Sequence, residues 1–126
     1  MTHEDLIAEA RAAAENAYAP YSNYRVGAVV VAADGTRYRG ANVENSAYGS
    51  AICAEATAIA HAVASGVRKI DTVAVTTPDG VEPGYPCGNC LQLMVEFDVD
   101  TVVLDGFDEG LIVHSRKDLI PYGFRL

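Results

Sequence analysis

The chain has 126 residues, half of them hydrophobic and 21% charged, which suits a single compact domain over 1–126 that can bury a core without disulfide staples. Seventeen acids against nine bases give a net charge of −8, the wrong sign for a surface that grips a nucleic-acid backbone. No apolar run approaches the roughly 20 residues of a membrane span, and the charged stretch from Thr2 to Glu9 does not read as a signal peptide, so a cytoplasmic protein is expected.

Thr2 and Asp5 have the spacing of a helix-capping pair. Leu6, Ile7, Ala10, Ala13, Ala14 and Ala17 then recur at helical intervals, so a helix is expected over 3–18, ended by Pro20. Val26 to Ala33 is an apolar, valine-rich run and reads as a buried strand. Asp34-Gly35 is a hairpin signal, and Thr36 to Val43 is the returning strand. Asn45 to Gly49 is polar and reads as a turn. Ala51 to Ala64 is almost wholly apolar and predicts a buried helix. Thr72 to Thr77 reads as a strand, and the Pro- and Gly-rich 78–86 as a loop. Gly88 to Phe97 suits a second buried helix. Strands over 101–104 and 111–114 flank a turn, and 118–122 is a terminal turn. The order α-β-β-α-β-α-β-β-α predicts an α/β fold, a five-stranded mixed sheet covered by helices in three layers.

Three cysteines cannot all pair within one chain. Cys53 stands in the opening turn of one expected helix, and Cys87 and Cys90 open the other. Helix N-termini favour the thiolate, the form that binds metal. Three thiolates supply three of zinc's four ligands; no fourth Cys exists and no His stands at ligand spacing, which leaves one position open, as in catalytic zinc sites. Glu55, two residues after Cys53, is placed to take a proton from water and return it to a leaving group. Buried core cysteines or a structural zinc are the plainer readings, but a structural site needs four protein ligands. Taken alone, Asn42 and Glu44 read as turn polars, and Tyr24 and Phe124 as packing residues.

Tyr21-Ser22-Asn23-Tyr24-Arg25-Val26-Gly27-Ala28, Asn42-Val43-Glu44-Asn45, Ala47-Tyr48-Gly49, Cys53-Ala54-Glu55, Pro86-Cys87-Gly88-Asn89-Cys90 with Gln92, and Leu119-Ile120-Pro121-Tyr122-Gly123-Phe124 together resemble the small homotetrameric cytidine deaminases, over nearly the whole chain. The resemblance implies one zinc per chain on Cys53, Cys87 and Cys90, with Glu55 as proton shuttle. It implies that the Ala54 backbone contacts the base, that Asn42 and Glu44 hold the ribose hydroxyl, and that Tyr24 stacks near the base where the family has Phe. Tyr48 is expected at the substrate, and Phe124 matches the aromatic that closes a neighbouring subunit's pocket. The implied activity is hydrolytic deamination of free cytidine or deoxycytidine to uridine or deoxyuridine in pyrimidine salvage. Deamination of another aminopyrimidine nucleoside, such as a nucleoside antibiotic, and a catalytically silent zinc-binding relative are the alternatives. Two positions depart from the family pattern: Ala56 and Leu91 stand where it usually has arginines that donate to the thiolates. The acidic surface, with Lys69 and Lys117 the only lysines, is open to two readings, salt adaptation or ordinary acidity.

Overall fold

The computed structural model describes residues 1–126. Helix α1 (His3–Ala14) starts at a full capping box: Thr2 Oγ1 accepts from the Asp5 N–H, and the Asp5 carboxylate accepts from the Thr2 N–H. The helix ends four residues earlier than its apolar pattern suggests. Beyond Ala14 the chain turns, and Tyr18 bridges to Val43 instead. The hairpin β1 (Gly27–Ala32) and β2 (Arg37–Ala41) follows, then α2 (Ala54–Ala64), β3 (Ile70–Thr76), α3 (Gly88–Glu96), β4 (Thr101–Asp105), β5 (Leu111–Ser115) and the single turn α4 (Arg116–Leu119). The polar stretch before α2 is a 3₁₀ turn over Tyr48–Ser50.

The five strands form one sheet in the order β2-β1-β3-β4-β5. Only β3 and β4 run parallel; the other neighbours are antiparallel. A parallel pair needs a crossover connection, and α3 provides it. The period-two alternation of strand side chains divides the core in two. Ala28, Val30, Val73, Val75, Val102 and Leu104 face α2 and α3. Val29, Ala74 and Val103 face Leu6, Ile7 and Ala10 of α1. The result is three layers, with α1 alone on one face and α2 and α3 together on the other.

Close approach of helix to sheet depends on two glycines. A Cβ on Gly27 would lie 1.9 Å from the Ala10 carbonyl oxygen, and one on Gly40 would lie 2.3 Å from the Ala58 nitrogen. The small residues of α2 serve the same end: Ala54, Ala58 and Ala62 are fully buried. The expectation that α2 is buried all round is not met within one chain, since Ala60, His61 and Ala64 are exposed. Asp105, at the end of β4, ties α1 to the sheet by accepting from Arg11, from the Thr76 hydroxyl and from the Phe107 N–H. No helix is long and apolar enough to cross a membrane.

Candidate active site

Cys53 and Cys87 are the N-cap residues of α2 and α3, each with extended backbone (φ −70°, ψ 154° and φ −75°, ψ 171°). The extended conformation places each residue just ahead of the open N–H groups of its helix, and at Cys87 the N–H groups of Cys90 and Asn89 act on the sulfur. Cys90 sits one turn into α3 and is fully buried. The three sulfurs lie within 4.8 Å of one another, and those of Cys53 and Cys87 are 3.8 Å apart. Sulfurs at tetrahedral positions about 2.3 Å from zinc would be separated by about 3.8 Å. The Cys53–Cys87 spacing matches that geometry, and the whole donor set is gathered closely enough to hold one zinc.

Burial raises the Cys53 and Cys90 thiols; at Cys53 the Cys87 sulfur and the Glu55 charge push the same way while Cys90 opposes them, and at Cys90 the Glu55 charge and both other sulfurs add to burial. At Cys87 burial also opposes ionisation, but the N–H of Cys90, the sulfurs of Cys53 and Cys90, and the N–H of Asn89 outweigh it, and the thiol is lowered. No capping hydrogen bond of strict geometry is made to that sulfur, so the N–H groups act on it as nearby dipoles. The leading influences on the three thiols are burial, one another, Glu55 and backbone N–H groups, with no cationic side chain among them. Ala56 and Leu91, where the family resemblance leads one to expect arginines, pack against the larger core.

Glu55 lies in the first turn of α2 and is 5% exposed. Burial raises its pKa, the environment of a carboxyl that exchanges protons and does not simply hold charge. It lines a cavity of about 300 Å³ with Cys53, Cys87, Ala54, Tyr24, Asn42 and Glu44. That volume is at the small-molecule end of ligand pockets. The cavity opens beside Thr77, at the C-terminal end of β3, the usual place for a ligand in an open α/β sheet.

Asn42 and Glu44 are held on a short extended segment: Val43 exchanges two backbone hydrogen bonds with Ile52, and Glu44 N–H donates to the Tyr18 carbonyl. Both side chains organise the segment 21–26. Asn42 accepts from the Val26 N–H and donates to the Tyr24 carbonyl. The Glu44 carboxylate accepts from the N–H groups of Tyr21 and Ser22 and from the Ser22 hydroxyl. The Ser22 hydroxyl leads the effects that lower the Glu44 pKa. Neither amide nor carboxylate is saturated by these bonds.

Two of the expected substrate residues are not in this cavity within one chain. Tyr48 is 71% exposed and lines an adjacent hollow with Tyr21, the two rings edge to face at 5.2 Å. Phe124 is 66% exposed on a tail fixed by Gln92, whose amide donates to the Phe124 carbonyl. Conversely, Val26, Ala51, Ile52, Thr77, Gly84 and Tyr85 line the cavity although sequence reasoning did not select them. Only Tyr85, two residues before Cys87, carried a usable signal. Its hydroxyl is 2.9 Å from His114 Nε2 on β5.

A mixed sheet that presents three cysteine sulfurs and a buried glutamate at two helix N-termini defines a zinc-binding α/β enzyme with a catalytic rather than a structural donor set. The sequence matches the family described as the cytidine and deoxycytidylate deaminase zinc-binding region over residues 1–105, and the chain belongs to that family. It is 50% identical to a cytidine deaminase of Sporosarcina psychrophila over 77% of this chain and 71% of that one. It is 42% identical to a cytidine deaminase of Halalkalibacterium halodurans over 98% and 95%. Its fold superposes on the crystal structure of cytidine deaminase from Burkholderia pseudomallei with a TM-score of 0.91 and 44% identity, covering 98% of this chain and all of that one.

Proposed function

We propose that the protein is a zinc-dependent hydrolase that converts free cytidine or deoxycytidine, with water, to uridine or deoxyuridine and ammonia, as a step of pyrimidine salvage. The observation that carries this reading is the buried Glu55 sharing one nucleoside-sized cavity with Cys53 and Cys87, whose sulfurs cluster with that of the buried Cys90. Family membership and the relatives named above support the same substrate.

Cys53, Cys87 and Cys90 would hold one zinc per chain, and the metal supplies Lewis-acid activation of the attacking water. The remaining steps belong to the protein's own groups. The Glu55 carboxylate takes a proton from the water that adds to C4 and delivers it to N3. The second water proton passes through the same carboxyl to the exocyclic amine, which leaves as ammonia. Burial suits Glu55 to this double duty, because it moves the proton affinity of the carboxyl toward the operating pH, where one group can both take and give a proton. The Ala54 backbone faces the base, and Tyr24 stacks beside it. Asn42 and Glu44 have donor and acceptor capacity left for a ribose hydroxyl, which needs both.

Tyr48 and Phe124 take their substrate roles, in this reading, across subunit boundaries in a homotetramer. Support comes from their exposure and that of Tyr18, Ile52 and Tyr122, large apolar side chains of the kind that subunit association covers. Residues 1–126 act as one catalytic domain, working in the cytoplasm. The test is the ultraviolet absorbance of cytidine with zinc-loaded protein, paired with sedimentation. Conversion of cytidine by a tetramer is expected. Absence of turnover would defeat the assignment, and turnover only with a modified pyrimidine nucleoside would redirect it. A fully active monomer would remove the shared-pocket arrangement.

A further inference from the structure

Two stretches of chain wall the cavity and come from different parts of the sequence. One is the arm 21–26, which carries Tyr24. The other is the loop 77–87, which carries Thr77, Gly84, Tyr85 and Cys87. Every hydrogen bond that joins the arm to the loop comes from one pair, Arg25 and Asp79. The Arg25 guanidinium donates from Nε to Oδ2 at 2.9 Å and from Nη2 to Oδ1 at 2.8 Å, and the Arg25 backbone N–H donates to the same Oδ2 at 2.9 Å.

This is not an ordinary surface ion pair. Isolated exposed pairs contribute little because two long side chains must be ordered to make one contact. Here the guanidinium fork meets the carboxylate at two points, which fixes orientation as well as distance. The third bond is to the backbone beside Tyr24, so the aspartate grips the main chain of the arm itself. The loop is rigid where it is gripped: Gly80 N–H donates to the Thr77 carbonyl, closing a turn. The Tyr24 ring then lies against the loop. A Cβ on Gly80 would be 2.9 Å from the Tyr24 hydroxyl oxygen and 3.2 Å from its ring. On its other flank the arm is held by Asn42 and Glu44.

We propose that Arg25 and Asp79 form a clasp that sets the separation of the two cavity walls, which makes both of them positioning residues for the nucleoside. Neither side chain lines the cavity; both act through Tyr24 and the loop. The clasp deepens the deaminase reading above and rests on it for its substrate. Breaking it should loosen the grip on the nucleoside while leaving the sulfurs and Glu55, which α2 and α3 position, in place.

The experiment compares the zinc-loaded full chain with Asp79→Ala and Arg25→Lys. Loss of one charge-assisted contact corresponds to about a tenfold change in binding. Asp79→Ala is therefore expected to raise KM for cytidine about tenfold, with kcat within about twofold and zinc content unchanged. Arg25→Lys keeps the charge and the backbone bond but loses the fork, so it should fall between the two. Raising salt should weaken cytidine binding in the parent and have less effect in Asp79→Ala, since the pair is partly exposed and open to screening. An unchanged KM in Asp79→Ala, or a kcat that falls in step with zinc loss, would overturn the clasp. If the parent does not convert cytidine, the deaminase reading fails separately, and hydrogen exchange over 78–86 judges the clasp: faster exchange in Asp79→Ala supports it, unchanged exchange overturns it.

Discussion

Gly40 is the position where a single methyl group should reach the catalytic centre from a distance. It lies on β2 under α2, and a Cβ there would stand 2.3 Å from the Ala58 nitrogen, 2.5 Å from the Ala54 carbonyl oxygen and 2.8 Å from the Ala58 Cα. All three atoms are helix backbone and cannot rotate aside. Restoring ordinary contact requires α2 to lift by about 1 Å, since non-bonded carbon and nitrogen atoms settle near 3.5 Å or beyond. That helix carries Cys53 at its cap and Glu55 in its first turn, whereas Cys87 and Cys90 belong to α3. The displacement therefore moves one sulfur and the proton shuttle relative to the other two sulfurs. Overpacking of this kind costs about 1–3 kcal/mol, which for a domain of this size lowers Tm by about 3–15 °C. Misplacement of a catalytic group by about 1 Å can cost about 10²-fold in turnover. Gly27→Ala makes the contrast, because its clash is with α1, which holds no site residue. It should lower Tm at least as far and turnover less. Thermal melting and cytidine turnover of the two variants measure both effects. A Gly40→Ala protein with native melting and native turnover would refute the reasoning.

Glu55→Gln keeps the size and burial of the side chain and removes the base; fold and zinc content should persist while turnover drops by at least about 10²–10⁴-fold, read from single-turnover kinetics. Cys87→Ala should lose zinc on metal analysis, because two remaining thiolates do not hold it as three do; full retention would exclude this ligand set. Asn42→Ala and Glu44→Ala should lower selectivity for cytidine over its 3′-deoxy analogue, and should also free the arm 21–26 that both side chains fasten; unchanged selectivity in both would remove the ribose assignment. Asp105→Asn tests a pH dependence. Burial alone would raise the Asp105 pKa, but the Phe107 N–H, the Thr76 hydroxyl and Arg11 together lower it. The folded state thus prefers the carboxylate, and the resulting stability is present above the ordinary carboxylate range and lost as pH falls through the lower folded pKa. The asparagine variant should be less stable at neutral pH and show a flatter acid limb in melting scans from pH 6 to about 2.

The elements themselves were legible as local pattern. Capping residues, the Asp34-Gly35 turn, valine runs and the alanine-rich stretches each act over a few neighbours, so the alternation of helices and strands and the three-layer arrangement could be read directly. The cysteine cluster was legible for the same reason: Cys53, Cys87 and Cys90 each stand at or just inside a helix N-terminus, and that placement is a property of short segments. Helix ends were less legible. The apolar spacing through Ala17 suggested that α1 continues, but Tyr18 is drawn out of the helix by its backbone bonds to Asn42 and Glu44, partners more than twenty residues away. The same holds for the cavity walls. Thr77 and Gly84 share the cavity with Tyr24 because β3 pairs beside β1, and nothing local marks them; Tyr85 has only its nearness to Cys87. Arg25 and Asp79 are 54 residues apart, and each reads alone as one more solvated charge. Their fork exists because antiparallel pairing of β1 with β3 brings the start of one strand beside the end of the other. Contacts of that kind are set by strand register, a cooperative property of the packed sheet that no short window of residues contains.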